Sequence, residues 1–423
     1  MMQRLPKPRT SQDVLVLCRE HDVQIVDLRF TSWSGDMYGV SIPISALDKQ
    51  VFERGLRCAP SDDGLPDARP YPDRLILPQP DTVWIDPLAE ISTAVLFCEL
   101  QDPITGEEFD DDPRAIARRA QAYLEHCRVA DQLNIATESE WWASHCAQSQ
   151  HAASVAPSKE AVGGLQGKID GRRMIPRVLH LTQRCGIPVT RCTWDGRHPQ
   201  RLRVELAASP HLTAADHALT LFDLMKSLTT RPTGLDGASE ASQDSARGVT
   251  IRLAGEKADR SWMTGSGYAG LSDVALHAIG GLLRHLPAIM ALSSPTGWPG
   301  TERPRWGYSQ SDSRAVCRIP AGGTDPHDRS IELRLACQQF NPYVLYAALV
   351  MAVIDGVQNK ISAGAPLEHL DPSAADTPHR AAAQQWEQGD LVGALDSDYE
   401  FLVRGDVFSE TSLRAWVGRW RTT

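Results

Sequence analysis

Two short patterns in this 423-residue chain have the residue types and spacing to do chemistry. Glu138-Ser139-Glu140 sets two carboxylates at a period of two. On a strand both would lie on one face, where such a pair can hold a cation or share acid and base roles. Ile331-Glu332-Leu333-Arg334 alternates in the same way and places an acid and a guanidinium side by side. By spacing alone, the first is an ordinary solvated strand face and the second a surface ion pair worth little. Other signals carry less. His145 and His151 lack metal-ligand spacing, and Asp195-Gly196 reads as a hairpin turn. Gly265-Ser266-Gly267 lacks the downstream Lys-Ser/Thr of a phosphate loop.

The elements that would position these residues are legible in outline. Val23–Phe30 and Met37–Ile42 alternate like strands around the turn residues Ser34-Gly35-Asp36, which predicts a hairpin. A Pro- and Asp-rich stretch over 60–80 leads to two more strands, Thr82–Asp86 and Ala94–Phe97. Asp112-Pro113 then opens a helix with Ile116, Ala120, Tyr123, Leu124 and Cys127 on one face. Ser272 caps a second long helix and Pro342 starts a third, while Thr230–Arg247 has the Gly, Ser, Thr and Asp content of a mobile loop. The expected division is a sheet-rich unit over 1–110 and a larger unit over 111–423.

Read in order, these segments resemble one known family, the glutamine synthetases. QIVDLRFTSWSGDMYGVSIP is similar to the start of that family's small domain, and WIDPLAEISTAVLFCEL to the segment that ends it. DPRAIARRAQAYL resembles the first helix of the catalytic domain, and GYAGLSDVALHAIGGLLRHLPAIMAL the long helix after its central metal-binding stretch. IELRLACQQFNPYVLYAALVMAVIDGVQNKI is similar to the late signature and its helix. The resemblance implies an α+β fold: a small β-grasp-like N-terminal domain and a large catalytic domain of curved antiparallel sheet and helices. It also implies ATP and Mg²⁺ or Mn²⁺ as cofactors, a ligase that joins a carboxylic acid to an amine, and sites shared between neighbours in a ring.

Carried over residue by residue, the resemblance makes Glu138, Glu140, Glu332 and Asp195 the metal ligands, with Asp195 a shorter acid in Cys192-Thr193-Trp194-Asp195 where the family has a His-rich run and a glutamate. Arg334 and Arg314 take the places of phosphate- or substrate-contacting arginines, Arg314 beside Ser313 at the family position. The departures cluster on the same chemistry. Arg203 stands where a second metal glutamate is expected, with Glu205 reaching that place only through a register shift. Thr250 and Arg252 replace a His-x-His pair. Unit charges 4 Å apart exchange about 4 kcal/mol at an effective dielectric of 20, so an inward Arg203 would repel a divalent ion by about twice that. Arg203 is therefore expected beside Glu140 or Asp195, and Arg252 beside Glu138 or Glu332. The Asn-Gly substrate segment has become Gln243–Arg247, and the flap glutamate is missing between Trp298 and Trp306. Cys58-Ala59-Pro60-Ser61 replaces an acidic motif, leaving Asp62 and Asp63 as rough stand-ins. These losses point to an enzyme acting on a different acid and amine, or to a catalytically inactive scaffold or regulatory subunit.

Composition narrows the partners. A net charge of -10 argues against nucleic acid or an anionic membrane as a partner, and leaves small molecules and other protein chains. Nine cysteines without C-x-x-C spacing read as reduced, mostly buried thiols, and the first ten residues lack an apolar signal core, so a cytoplasmic location is expected. No stretch reads as the ~18 apolar residues of a membrane span. In the family, the region resembling Phe401–Phe408 runs on into a C-terminal tail, which in the bacterial double-ring members reaches into the opposite ring, whereas here the sequence closes at Thr423. The expected assembly is a single ring or lower oligomer, not a stacked dodecamer. Light scattering across protein and salt concentrations checks it, and a stable twelve-subunit mass at low micromolar protein would show that another surface does the clasping.

Overall fold

The computed structural model describes residues 8–58, 73–142, 171–194, 201–229, 249–256, 262–293, 304–321, 329–335, 340–369, 382–384, 386 and 389–421. Asp195, the 230–247 loop, Gln243–Arg247, the 299–303 part of the flap, Asp62 and Asp63, and His145 and His151 lie outside the described residues.

Two sheets organise the chain, in an α+β arrangement. The first contains β1 (Ile25–Thr31), β2 (Met37–Pro43), β3 (Leu56–Cys58), β4 (Arg74–Pro78), β5 (Trp84–Ile85) and β6 (Thr93–Gln101). Its order is β2-β1-β6-β4-β3, with β5 pairing β6, and the β1–β6 pair is parallel. The β1–β2 hairpin forms where the alternating pattern places it, around a Gly35 at φ +88°. A Cβ there would also lie 2.5 Å from the Phe340 carbonyl oxygen, so this turn accepts only glycine without a shift. Helix α1 (Ser11–Glu20) precedes the sheet and went unread in the sequence. Its signal is a capping box in which Thr10 and Asp13 satisfy each other's backbone donors. A short helix, α2 (Lys49–Arg54), is capped by Asp48.

The second sheet contains β7 (Gln132–Trp142), β8 (Val189–Trp194), β9 (Arg201–Leu206), β10 (Ser209–Pro210), β11 (Val249–Glu256), β12 (Arg305–Ser309), β13 (Ala315–Arg318) and β14 (Ile331–Leu335). The order is β12-β13-β14-β11-β7-β9-β8, with β10 pairing β7. Alternation divides its two faces. Leu133 and Ile135, Leu202 and Val204, Ile251 and Leu253, and Ile331 and Leu333 are buried in the core. The residues between them, Glu138, Glu140, Arg203, Glu205, Arg252, Glu332 and Arg334 among them, therefore share the opposite face.

Helices α3 (Pro113–His126), α4 (Gly171–Arg184), α5 (His211–Thr229), α6 (Asp273–Ser293) and α7 (Pro342–Gln358) cover the apolar side. Asp112 caps α3, Asn341 caps α7, and the Ser272 hydroxyl accepts from the Ala275 N–H at 3.0 Å to cap α6. Helices α6 and α7 touch backbone to backbone, since a Cβ on Gly281 would fall 2.2 Å from the Ala352 carbonyl oxygen. In length and composition α6 is apolar enough to cross a membrane, contrary to the sequence expectation, but 78% of its apolar window is buried inside the protein. Seven free cysteines are described: Cys18, Cys98 and Cys317 are buried, and the other four are only partly so.

The two sheets are tied by polar contacts as well as by packing. Arg114 of α3, 4% exposed, donates to Glu99 of β6 at 2.7 Å and to Asp216 of α5 at 3.4 Å, and the Tyr343 hydroxyl donates to Asp216 at 2.5 Å. Asn341 donates to Thr31 Oγ1 and to the Ser32 carbonyl, and the buried Trp33 indole donates to the Asp111 carbonyl.

A second buried node joins α6 to α7 and the C-terminal helices. His285 Nε2 lies 2.9 Å from Asp355, and Nδ1 lies 2.8 Å from Asp398. Carboxylates only accept, so both nitrogens carry protons and the ring is an imidazolium. Burial alone would push its pKa down, but the hydrogen bonds to Asp355 and Asp398 outweigh it and the pKa is raised. Arg404 also pairs with Asp355. A raised folded pKa gives stability that is present below the unfolded value of about 6.5 and is lost as pH rises through the folded value. Denaturant titrations from about pH 6 to 9 should show stability falling, with a flatter slope in His285→Gln. Equal slopes would assign the linkage elsewhere.

Candidate functional site

The polar face of the second sheet is fixed by strand register. One row across it reads Arg334, Thr250, Glu138, Glu205, Arg191 on β14, β11, β7, β9 and β8. A second reads Arg318, Glu332, Arg252, Ala136, and a third Glu140, Arg203, Thr193. Glu138, Glu140, Glu332, Arg334, Arg203, Thr250 and Arg252 are thus brought onto one surface. Arg314 is not: it sits on the turn after β12, with its side chain 74% exposed, and its Nε is 3.9 Å from Asp312.

The carboxylates are occupied by guanidinium groups. Glu140 accepts from Arg201 and, at 3.3 Å, from Arg203 Nε. Arg203 therefore lies beside Glu140, as its position in the sequence implies. Arg252 does not reach Glu138 or Glu332. It is the backbone neighbour of Glu332, yet its Nη1 donates to Glu205 at 2.6 Å. The reason is register: Glu205 sits directly opposite Glu138, inside the cluster, without any slip of the strand. Arg191 bridges the pair, 2.6 Å from Glu205 and 3.6 Å from Glu138. Glu332 is flanked by Arg334 at 3.5 Å and Arg318 at 3.8 Å, and Arg334 also donates to the Ser313 carbonyl.

Sequence reading missed Arg191, Arg201, Arg318 and the inward position of Glu205. The signal was available in the period of two, since Arg201-x-Arg203-x-Glu205 puts three charges on one strand face. Glu205 and Glu332 side chains are each 10% exposed, so their charges require partners.

The family model for the glutamine synthetase catalytic domain matches residues 110–421. The chain belongs to the glutamine synthetase family. It is 31% identical to a glutamine synthetase of Frankia alni, over 96% of this chain and 94% of that one. It is 30% identical to a glutamine synthetase of Aquifex aeolicus at the same coverage. A cryo-EM structure of Plasmodium falciparum glutamine synthetase superposes with a TM-score of 0.76 at 15% identity, over 98% of this chain and 95% of that one, and shares the fold.

The glutamine synthetase family generally uses ATP and divalent metals, and the donor set here can be tested for such an ion. Among the described residues no group of three or more His, Cys, Asp or Glu side chains converges as ligands. The carboxylates that do share the face already hold guanidinium groups, which a cation would have to displace against like charge. The described residues do not fit a divalent metal.

The ion pairs differ in what their loss costs. Removing Arg252 leaves the buried Glu205 with Arg191 alone, which Glu138 shares, so Arg252→Met should lower stability by about 1–3 kcal/mol. Arg203→Met should cost less than ~1 kcal/mol, because Arg201 still holds Glu140. Urea unfolding of the two variants gives the comparison, and an equal or reversed order would show that the Glu205 pairing is not the stronger constraint.

Proposed function

We propose that this glutamine synthetase family member does not form glutamine, and that the surface corresponding to the family's metal centre serves a binding role in a scaffold or regulatory subunit. One observation carries the reading: Arg203 and Arg252, standing at ligand positions by resemblance, pair with Glu140 and Glu205. Phosphoryl transfer to a carboxylate needs charge neutralised at the transferring group and an acid to take the proton from the incoming amine. Fixed guanidinium groups engaged by glutamates supply neither an exchangeable cation nor a base. Identity near 30% to named glutamine synthetases establishes descent, whereas the reaction depends on the few side chains that have changed.

A second reading is an ATP-dependent ligase forming a C–N bond between a different acid and amine. It is favoured by the common face of Glu138, Glu140, Glu332 and Arg334, with Asp195 as a further ligand by resemblance. We take residues 1–110 and 111–423 as its two units, on the support that each contains one sheet. The family's ring assembly supports self-association, with a single ring or lower oligomer as the proposed form.

Purified protein incubated with glutamate, ammonium, ATP and Mg²⁺ or Mn²⁺ should give no detectable glutamine and no γ-glutamyl transfer, and calorimetry should show no Mn²⁺ binding. A robust glutamine signal from protein free of host enzyme would overturn the proposal. Turnover with another acid and amine would instead select the ligase.

A further inference from the structure

We propose, resting on the reading that this chain self-associates, that the exposed face of α4 receives a second copy of the chain through an acidic and apolar patch at the end of α1. Helix α4 is out of keeping with the chain that carries it. In a protein of net charge -10, it contains Arg172, Arg173, Arg177 and Arg184 and no Asp or Glu. Met174, Val178, Leu181 and Thr182 are buried, which leaves Arg177, His180 and Arg184 exposed along one line at i, i+3 and i+7. Leu179 stands beside them, 40% exposed. The arginines of the nearby strands β8 and β9 are engaged by Glu138, Glu140 and Glu205. No carboxylate among the described residues pairs with Arg177 or Arg184.

The complementary surface lies beside the first sheet. Val16 and Glu20 are one turn apart on α1, and Asp22 follows just after the helix ends. The Ser92 hydroxyl donates to the His21 carbonyl at 2.8 Å, and the Ser92 carbonyl accepts from the Gln24 N–H at 2.9 Å. Both bonds hold the segment with Glu90 and Ile91 against the end of α1. Val16 is 40% and Ile91 48% exposed. Glu20, Asp22 and Glu90 are exposed too, and no cation among the described residues pairs with them. Arg19, between them in sequence, is turned back onto the Leu15 carbonyl at 3.1 Å. Single exposed apolar side chains are ordinary on a protein surface. Here they sit among unpaired charges of one sign, negative on the α1 patch and positive on α4. Two copies at net charge -10 repel overall, so the local attraction between these patches selects the orientation in which the copies meet. The two surfaces differ, so each copy keeps one of each for a further neighbour, and repetition closes a ring where the rotation allows.

The test follows the mass of the full chain by light scattering and sedimentation velocity across protein concentration, at one fixed low salt. Arg177→Glu with Arg184→Glu should raise the concentration of half-association about tenfold, and so should Glu20→Lys with Glu90→Lys, because each leaves like charges facing. Circular dichroism of both variants should match the wild type, since all four side chains are exposed. Mixing the two variants in equal amounts is the decisive step. The acidic α4 of one then meets the basic patch of the other, and the two unaltered surfaces meet as before, so association should return to near the wild-type range. Should a charge variant fold poorly, Ile91→Ser and Leu179→Ser, which change no charge, should each weaken association about threefold. Association unmoved by either charge reversal, or lost in both and not recovered on mixing, overturns this contact while leaving self-association standing. A wild-type protein that stays monomeric at every concentration overturns self-association itself, and the contact with it.

Discussion

Glu138 and Glu205 face each other across adjacent antiparallel strands, and the surrounding charge pattern answers that constraint. Directly opposed residues stand about 5 Å apart at Cβ. Two full charges at that separation repel by about 3 kcal/mol at an effective dielectric of 20. The register cannot slip to relieve this, because a one-residue shift would turn Leu202, Val204 and Leu206 out of the core. A cation between them relieves this repulsion. Arg191 from the next strand and Arg252 from the strand beyond β7 supply it from opposite sides. The apolar back of the sheet thus fixes the polar front.

That back needs its own support. Helices α6 and α7 pack through glycine contacts, and one turn along α6 from Gly281 they are pinned by His285 between Asp355 and Asp398. Arg114 performs the corresponding task between the sheets, drawing β6, α3 and α5 onto one buried guanidinium. Burial alone would lower the Arg114 pKa, but Asp216, Tyr343 and Glu99 more than reverse it, and the group stays charged. Such a node does little net work against a well-packed apolar alternative, but losing one member strands the others. It fixes how α3 and α5 meet β6.

Much of this was legible in the sequence because it rests on local rules. The β1–β2 hairpin follows from alternation around Gly35, and α3 from Asp112-Pro113. The charge lattice was only half legible. Glu140 and Arg203 are neighbours because β7 pairs β9, which a family register suggests. The partner of Arg252 depends on which side chain can reach which across three strands, and a guanidinium on a long stem is not confined to its nearest backbone neighbour. Arg314 shows the reverse limit. A place one residue from the expected position meant little once a turn left the side chain exposed. Alternation would have marked Arg201 with Arg203 and Glu205 on one strand face, whereas the carboxylates that these arginines and Arg191 meet follow only from the strand pairing.

Were arginine to stand in for a metal here, as proposed, the face would also evolve differently. A metal centre is modular, because one ion neutralises several carboxylates and leaves when its ligands go. A guanidinium lattice is distributed: Arg191 serves Glu205 and Glu138, Glu205 serves Arg191 and Arg252, and Glu140 serves Arg201 and Arg203. Restoring one acid at position 203 would leave Arg201 against Glu140 and add an uncompensated negative charge beside it. Restoring a neutral ligand at position 252 would free Glu205 without removing Arg191. Neither single step recreates an empty acidic pocket, because each remaining guanidinium still occupies a carboxylate that a cation would need. The permanent positive charge of the proposed arrangement is therefore held in place by the same cross-strand pairs that make it stable.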